Sequence, residues 1–262
     1  MQKHQIKASI LSNEEVAKGT FCATITAPLI ANVAKAGQFV NVRVEQNSCQ
    51  LLRMPFCIYD LDKEFQTISI CYQVVGEGTS QLSKLSIGDV LDVIGPLGNG
   101  WEVPENTKRA LLVCGGLGAA PMNLLAKNLV ERGICFDICI GAANIERMIC
   151  KDEFESMTQS VGGILQICTD DGSFGFHGFC TQPAAELLDE NKYDYCAICG
   201  PYMMEKVAVQ SPLKHLVHTQ VSLEKLMACG IGACLSCIVE TKNGKRRCCA
   251  DGPVFNAGDL IW

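Results

Sequence analysis

The chain has 262 residues, a formal net charge of −6 and 48% hydrophobic residues. This acidic balance argues against a nucleic-acid-binding protein, which would carry a basic stripe, and no apolar run approaches the roughly 18 residues of a membrane span. The length predicts one large domain, or two ordinary domains with a small appendage.

The first hundred residues have the pattern of short strands. Apolar and polar residues alternate with period two in three segments rich in Val and Ile, QFVNVRV (38–44), TISICYQV (67–74) and DVLDVIGP (89–96). Strands of this kind at this spacing predict an antiparallel barrel or sandwich. The segment GPLGNGW (95–101) has the glycines and the proline of a domain boundary.

From Arg109 to about Ser222 the pattern alternates between strand and helix. The apolar run ALLVC (110–114) predicts a buried strand, and PMNLLAKNLVERG (121–133) has helical spacing with a proline near its start. Three more strand and helix pairs follow, and LVHTQVS (216–222) closes the series. Repeated units of this kind predict a parallel, doubly wound sheet.

Three strand ends in this second part are rich in glycine or polar residues. They are Cys114 to Pro121, Thr169 to Gly172, and Cys199 to Pro201. A glycine-rich turn from a strand into a helix lets a pyrophosphate approach the backbone and the helix N-terminus. The turn lacks the full G-x-G-x-x-G pattern, and a plain tight turn would look similar. Together the three ends favour a dinucleotide site.

The last forty residues contain a cysteine loop. Cys229, Cys234 and Cys237 have the C-x₄-C-x₂-C spacing, and Cys248 and Cys249 follow. Plant-type [2Fe–2S] clusters are bound by four thiolates at this spacing. Gly230 and Gly232 allow such a loop to curl. A structural zinc site usually has two separate cysteine pairs, so a zinc protein is the less favoured alternative.

The remaining cysteines indicate that the protein works in a reducing compartment. The 17 cysteines are an odd number and are scattered through apolar runs, where free cysteine behaves as a small buried hydrophobe. The N-terminal segment MQKHQIKASILSNEEV has no apolar core of a signal peptide. We therefore expect a cytoplasmic protein with free thiols.

The motifs resemble those of known flavoprotein families. The GG-x-G-x-x-P turn and the C-G-P-x-x-M turn, after a barrel domain, resemble the ferredoxin–NADP⁺ reductase superfamily. The segment MACGIGAC-x-x-C, with its C-x-DGPVF ending, narrows the resemblance to the electron-transfer subunit of class 1B dihydroorotate dehydrogenase. The resemblance covers nearly the whole chain and includes LLRMPFCI (51–58), GEGTSQLSKL (76–85) and GPLGNG (95–100).

The resemblance implies a multidomain protein with three cofactors: FAD, NAD and a [2Fe–2S] cluster. Residues 1–100 would form an antiparallel β-barrel FAD domain, 101–220 an α/β parallel-sheet NAD domain, and 221–262 a small C-terminal cluster domain. The implied FAD residues are Arg53, Met54, Pro55, Phe56, Cys57, Ile70, Cys71, Tyr72, Gly78 and Thr79. The implied NAD residues are Gly115, Gly116, Gly118, Pro121, Asp170, Gly200 and Pro201, with Cys199 positioning the nicotinamide ring. The implied cluster ligands are Cys229, Cys234, Cys237 and Cys249.

Three positions need comment against the family pattern. Met54 stands where the family has a second arginine, and Cys57 stands where it has a serine or threonine near the flavin. A thiol is a weaker donor than a hydroxyl. The family has one residue between the last ligand and D-G-P, which selects Cys249 and leaves Cys248 outside the cluster.

The resemblance also implies an activity. Electrons would pass from the FMN of a catalytic subunit through the cluster and FAD to NAD⁺ during de novo pyrimidine biosynthesis, in an α₂β₂ heterotetramer. Leu226, Ile231 and Leu235 would lie near the subunit interface. The alternatives are a flavin and Fe–S subunit of a sulfite reductase or hydrogenase, and a non-enzymatic Fe–S redox sensor. NADP sites usually place Arg or Ser where these can bind the 2′-phosphate. The loop 141–147 offers one arginine beside a glutamate, which is a poor phosphate site, so NAD is preferred over NADP.

Overall fold

A computed structural model describes residues 2–44 and 51–262 of the chain. Cys49, one of the counted cysteines, lies outside these residues. The described strands form a closed six-stranded barrel, a seven-stranded sheet and a two-stranded hairpin. The predicted fold class, an antiparallel barrel followed by a parallel-sheet domain and a small C-terminal domain, is confirmed.

The barrel comprises the first six strands in the order β1-β2-β5-β4-β3-β6, all paired antiparallel. Its elements are β1 (His4–Ala17), β2 (Thr20–Thr26), α1 (Pro28–Ala31), β3 (Phe39–Val44), β4 (Met54–Asp62), β5 (Thr67–Gln73), α2 (Glu77–Leu82) and β6 (Val90–Leu97). Side chains on one face of each strand fill the interior, as period two requires. On β5 these are Ile68, Ile70 and Tyr72, so Cys71 and Gln73 face outward. The sequence pattern identified β3, β5 and β6.

The second part is a sheet covered by helices on both faces. Its elements are β7 (Arg109–Gly115), α3 (Ala120–Glu131), β8 (Cys135–Ala142), α4 (Lys151–Ser160), β9 (Leu165–Thr169), β10 (Phe176–His177), α5 (Thr181–Glu190), β11 (Tyr195–Cys199), α6 (Tyr202–Ala208), α7 (Gln210–Lys214) and β12 (His218–Ser222). These strands pair in parallel in the order β10-β9-β8-β7-β11-β12. Leu112 packs toward α3 and the barrel, whereas Leu111 packs toward α5. The carboxyl ends of the strands therefore share one edge.

The C-terminal part is more regular than the sequence pattern indicated. It contains β13 (Ile238–Thr241), β14 (Gly244–Arg247), α8 (Cys248–Asp251) and β15 (Val254–Asn256). Strand β15 pairs antiparallel with β12 and becomes the seventh strand of the sheet. Strand β12 ends at Ser222, and β15 pairs with it in the same sheet. The predicted boundary between the NAD domain and the cluster domain, at residues 220 and 221, stays a prediction.

Within residues 2–44 and 51–262, none of the helices has the length and apolar character that crossing a bilayer requires.

Candidate functional site

A cleft of about 560 Å³, the central cleft, lies where the three parts of the chain meet. Its volume falls within the range of roughly 300–1,000 Å³ typical of cofactor sites. The barrel contributes the outward faces of β4 and β5, and the sheet contributes its glycine-rich strand ends. Met227 and Pro253 come from the C-terminal part. A ligand in this cleft would therefore touch all three parts.

The central cleft brings together only some of the FAD residues that the resemblance implies. Those that line it are Pro55, Phe56, Cys57, Cys71 and Thr79. The side chains of Ile70 and Tyr72 are buried in the barrel core, and the Tyr72 hydroxyl donates to Asn13 Oδ1 at 2.8 Å. Met54 and Gly78 are not lining residues. Gln73 and Val75 also line the cleft, although no sequence motif indicates them.

Arg53 has a partner in the barrel. Its guanidinium forms an ion pair with the Asp92 carboxylate at 2.8 Å and donates to the Asp92 carbonyl at 2.8 Å. Arg53 is not a lining residue of the central cleft. These contacts use part of the donor set of the guanidinium, which carries five N–H groups.

Thr79 fixes the turn that leads into α2. Its hydroxyl accepts the backbone N–H groups of Val75 at 3.0 Å and Gly76 at 3.1 Å, and it donates to the Gly76 carbonyl at 3.0 Å. The hydroxyl therefore satisfies backbone groups at the start of the helix. Its position at the cleft is set by this local network.

Two strand-end turns of the sheet are in direct backbone contact. A Cβ at Gly118 would lie 2.3 Å from the Cys199 carbonyl oxygen and 2.8 Å from the Gly200 Cα. A Cβ at Gly115 would lie 2.6 Å from the Met204 sulfur. Glycine is thus required at Gly118 because the C-G-P turn occupies the space of a side chain.

The predicted NAD residues divide between two adjoining clefts. A second cleft of about 500 Å³, the side cleft, is lined by Gly115, Gly116, Asp170 and Pro201 together with Met204. The remaining NAD residues, Gly118, Pro121 and Gly200, line the central cleft. Gly115, Gly116 and Pro201 border both. A dinucleotide in the side cleft would therefore reach the central cleft at these shared residues.

Two thiols and a carboxyl group meet in the central cleft, on Cys57, Cys199 and Glu224. Burial raises the pKa of the Cys57 thiol to about 12. Burial, followed by the nearby Glu205 and Glu224, raises the pKa of Cys199, whose Sγ donates to the Ser222 carbonyl at 3.4 Å. Both groups are therefore neutral thiols at pH 7, which excludes them as nucleophiles in this state.

Glu224 and Glu205 are acidic residues near the clefts that were not among the predicted site residues. Burial raises the pKa of Glu224, which borders both the central cleft and a cavity of about 360 Å³ behind it. Glu205 on α6 lines the same cavity and accepts the Gly200 N–H at 3.3 Å. Glu224 follows the carboxyl end of β12, so the rule that ligands bind at strand ends could have identified it.

The four predicted cluster cysteines form two pairs. The Cys229 and Cys234 thiols interact with each other, and so do the Cys237 and Cys249 thiols. In the part of the chain that the structure describes, no three His, Cys, Asp or Glu side chains form a site for a single metal ion. A [2Fe–2S] cluster has two irons, and four cysteine thiolates hold it. Two thiol pairs match this donor set.

The thiols of the proposed cluster ligands differ in pKa. Hydrogen bonds from Ser236 lower the pKa of the exposed Cys234 thiol to about 6. Burial opposes ionisation of Cys229, yet backbone N–H groups, including those of Ala233 and Cys234 at 3.3 and 3.4 Å, hold its pKa below the usual range. Burial and the neighbouring Cys237 raise the pKa of Cys249 to about 12. A bound metal ion deprotonates a coordinating thiol outright.

The two adjacent cysteines face different surroundings. Cys249 donates its backbone N–H to the Cys237 sulfur at 3.4 Å, so it lies with the loop cysteines. Cys248 is fully buried, and its Sγ donates to the Leu223 carbonyl at 3.3 Å. The loop itself is held by Arg247, which donates to the Gly232 carbonyl at 3.3 Å and pairs with Asp251 at 2.8 Å.

Known proteins resemble this chain in sequence and structure. Residues 224–261 match the family described as iron-sulfur cluster binding domain of dihydroorotate dehydrogenase B. The dihydroorotate dehydrogenase B (NAD(+)) electron transfer subunit of Clostridium acetobutylicum is 40% identical over 227 residues, which cover 87% of this chain and 86% of that protein. The subunit of the same name from Shouchella clausii is 32% identical over 269 residues and covers all of both chains.

Solved structures agree on the fold. A chain from an NADH-dependent reduced ferredoxin-NADP oxidoreductase, described for flavin-based electron bifurcation, superposes with a TM-score of 0.87 at 32% identity and covers 97% of this chain and 90% of that chain. The FAD/NAD binding domain of a Vibrio cholerae nitric oxide dioxygenase superposes with a TM-score of 0.70 at 15% identity, over 82% of this chain and 97% of that chain. The second likeness shows the fold alone.

Proposed function

The chain belongs to the family of dihydroorotate dehydrogenase B electron transfer subunits, and we propose that it passes electrons from a dihydroorotate-oxidising partner subunit to NAD⁺. The resemblance found in the cysteine loop and the glycine turns is confirmed by these relatives. The reaction supplies orotate for pyrimidine biosynthesis, as the name of the family implies.

One observation supports this function above the others. The central cleft is bordered by the barrel through Cys57, by the sheet through Cys199, and by the cysteine segment through Met227 and Pro253. A flavin in this cleft would lie between the nucleotide side and the cysteine loop of the same chain. This is the order of groups that electron transfer between a one-electron centre and NAD requires.

The residues present fit the three groups. Apolar and aromatic walls, Pro55 and Phe56 with the Cys57 thiol, suit the flat ring system of FAD in the central cleft. Asp170 and the backbone of Gly115 and Gly116 suit the dinucleotide in the side cleft. The two thiol pairs suit the [2Fe–2S] cluster. FAD, when bound, exchanges two electrons with NAD and single electrons with an Fe–S cluster.

Four side chains near the proposed cofactor sites have roles that follow from their surroundings. Cys199 is a neutral thiol held by the Ser222 carbonyl, so its role is to position the nicotinamide ring and not to attack it. Cys57 is a neutral, weak donor toward the flavin. Glu224 lies beside both thiols, and burial raises the pKa of its carboxyl group. Arg53 can contribute to the flavin phosphates only with the N–H groups that Asp92 leaves free.

The proposed partner is an FMN-containing dihydroorotate dehydrogenase catalytic subunit, with two copies of each subunit in an α₂β₂ assembly. The cysteine loop supports a docking role. Leu226, Ile231 and Leu235 are 94%, 45% and 59% exposed around the exposed Cys234. Contact with a partner would cover these apolar side chains and bring the cluster close to the partner's flavin.

We propose that the protein works in the cytoplasm. Every cysteine in the described ranges is a free thiol. Thiols stay reduced in the cytosol, whereas disulfides form in oxidising compartments.

An anaerobic reconstitution tests the proposal. The chain, purified with iron and FAD, is mixed with the FMN-dependent catalytic subunit of the same organism, and NADH formation is followed after dihydroorotate and NAD⁺ are added. We expect activity in the mixture and none with either subunit alone. If the chain reduces dyes with NADH but the mixture does not oxidise dihydroorotate, the proposed cofactors are supported and the proposed partner is rejected.

A second partner class is favoured by the structural relative from the ferredoxin-NADP oxidoreductase, which is 32% identical to this chain. The same chain architecture could serve a flavoprotein partner that exchanges electrons with ferredoxin and NADPH. In a separate arm, such a flavoprotein of the same organism replaces the FMN-dependent subunit, and NADPH formation is followed after NADH, reduced ferredoxin and NADP⁺ are added. Activity in this arm alone would select the second partner.

A further inference from the structure

Asn41 is a buried polar residue of the barrel that contacts the cysteine loop. It lies on β3 and is 0% exposed. Its Nδ2 donates to the Cys229 carbonyl at 3.3 Å. Cys229 is the first of the four proposed ligands, so a single barrel side chain is bonded to the residue at which the loop begins.

The loop is packed closely against this amide. Gly230 has φ +67°, and a Cβ built there would lie 2.2 Å from Asn41 Nδ2 and 3.6 Å from Leu97 Cδ1. The residue after the first ligand must therefore be small and in the left-handed region. Asn41 and Gly230 together fix the distance between β3 and the loop backbone.

The Asn41 amide satisfies the Cys229 carbonyl but leaves its own oxygen unpaired. The Cys229 carbonyl can only accept a hydrogen bond, which fixes Nδ2 toward it and leaves Oδ1 on the other side. Oδ1 is buried and has no hydrogen-bond partner among the described residues. A buried polar atom without a hydrogen-bond partner destabilises the folded state. A leucine, which has the same branched shape, would avoid this penalty but would leave the Cys229 carbonyl without this donor.

The strand that carries Asn41 also borders the central cleft. Asn41 pairs across the sheet with Pro55, and Phe39 lies on the same face of β3. Both neighbours line the central cleft. The strand thus has the proposed flavin site on one side of Asn41 and the cysteine loop on the other.

A second contact between the barrel and the C-terminal part lies beyond the end of β6. The Asn99 backbone N–H donates to the Gly252 carbonyl at 2.6 Å, and Asn99 Nδ2 donates to the Asp251 carbonyl at 3.1 Å. This contact reaches the segment just after Cys249. The Asn41 contact differs because the Asn41 side chain is fully buried and bonds to a proposed ligand residue itself.

We propose that Asn41 is a positioning residue, which holds the Cys229 backbone against the flavin barrel and raises the reduction potential of the cluster bound by the loop. The inference rests on the proposed function, since it assumes that Cys229 is a cluster ligand. The amide N–H places the positive end of a dipole beside the ligand, which favours the additional electron on the reduced cluster. Hydrogen bonds and dipoles near the cluster are known means by which a protein sets this potential.

The test compares two buried asparagines of this chain. Asn123 on α3 is 1% exposed, its Nδ2 donates to the Tyr59 carbonyl at 3.3 Å, and its Oδ1 also lacks a partner among the described residues. Asn41→Leu and Asn123→Leu therefore remove equivalent hydrogen bonds, one at the loop and one away from it. The midpoint potential of the cluster is measured in each anaerobic protein by redox titration followed by electron paramagnetic resonance. Iron content and the thermal unfolding midpoint are measured in parallel.

We expect a more negative midpoint potential in Asn41→Leu and an unchanged potential in Asn123→Leu. If Asn41→Leu does not retain iron, the titration is repeated with Asn41→Ser. Loss of iron from both Asn41 variants but not from Asn123→Leu also supports the positioning role. The wild-type potential in a fully loaded Asn41 variant overturns the inference, and so does an equal change in both leucine variants. A wild-type chain that binds no [2Fe–2S] cluster overturns the proposed function instead.

Discussion

Glu205→Gln is predicted to stabilise the protein by an amount that grows with pH. Glu205 is 2% exposed on α6, and its pKa is raised from 4.5 to about 8. Burial is the main cause, followed by the nearby Glu224, whereas the Gly200 N–H and Lys225 act in the opposite direction. The folded protein therefore keeps a proton on Glu205 at neutral pH, whereas the unfolded chain releases it.

The sign and size of the effect follow from linkage. Below pH 4.5 both states carry the proton, and the free energy of unfolding does not depend on this group. As the pH rises toward about 8, the unfolded state ionises and the folded state loses stability, by about 1.4 kcal/mol per pH unit and about 5 kcal/mol in all. A glutamine never ionises and can still accept the Gly200 N–H. The advantage of Glu205→Gln should thus grow by about 2 kcal/mol between about pH 6 and about pH 8.

The assay is urea unfolding of the anaerobic, cofactor-loaded protein at several pH values, followed by circular dichroism. Glu186→Gln is the control, because Glu186 is exposed on α5 and the same chemical change should leave the pH profile of unfolding unaltered. An advantage of Glu205→Gln that is equal at all pH values would refute the reasoning, since it would mean that Glu205 is ionised in the folded state.

Three further variants test other parts of the structure. Gly118→Ala forces a Cβ to within 2.3 Å of the Cys199 carbonyl oxygen, and we expect a cost of about 1–3 kcal/mol that appears as weaker NAD⁺ binding in a fluorescence titration. Asp137→Asn removes the buried charge that accepts Arg109 at 2.7 Å, and chemical denaturation should show a loss of about 3–5 kcal/mol. Cys249→Ser should lose the cluster absorbance and its iron, whereas Cys248→Ser should retain both.

Each of these variants has an outcome that contradicts its basis. Unchanged NAD⁺ affinity in Gly118→Ala would mean that the two turns can separate without affecting the nucleotide site. An Asp137→Asn protein with the wild-type free energy of unfolding would mean that the Arg109 contact does not depend on the charge of Asp137. Iron loss from Cys248→Ser, with retention in Cys249→Ser, would exchange the roles of the two cysteines.

Local patterns predicted those parts of the site that one segment of chain determines. The cysteine spacing predicted a thiol-rich loop, and the structure places Cys229 next to Cys234 because the glycines between them take positive φ values. The glycine turn after β7 was predicted because a short segment carries both the strand and the turn. The alternation of β5 predicted a strand, which in turn places Cys71 on the outward face toward the cleft.

Features that depend on distant segments were not predicted. Arg53 was expected at the FAD pyrophosphate, but it forms an ion pair with Asp92 on β6, which is 39 residues further along the chain. Glu224 meets Cys57 only because β12 ends beside the barrel. The last strand, β15, is too short to give a periodic pattern, and its place in the sheet depends on pairing with β12. Contacts of this kind are determined by tertiary packing, which overrides local preference.

The path of the C-terminal segment bears on the rate of electron movement within the chain. Pro253 bridges to Asn99 of the barrel, and the following strand, Val254–Asn256, is bonded to β12 of the sheet. A segment anchored at both places cannot swing between a docked and an undocked position, as a domain on a flexible linker does. Electron tunnelling between the cysteine loop and the central cleft would then occur over a fixed distance. Its rate should therefore be independent of solvent viscosity.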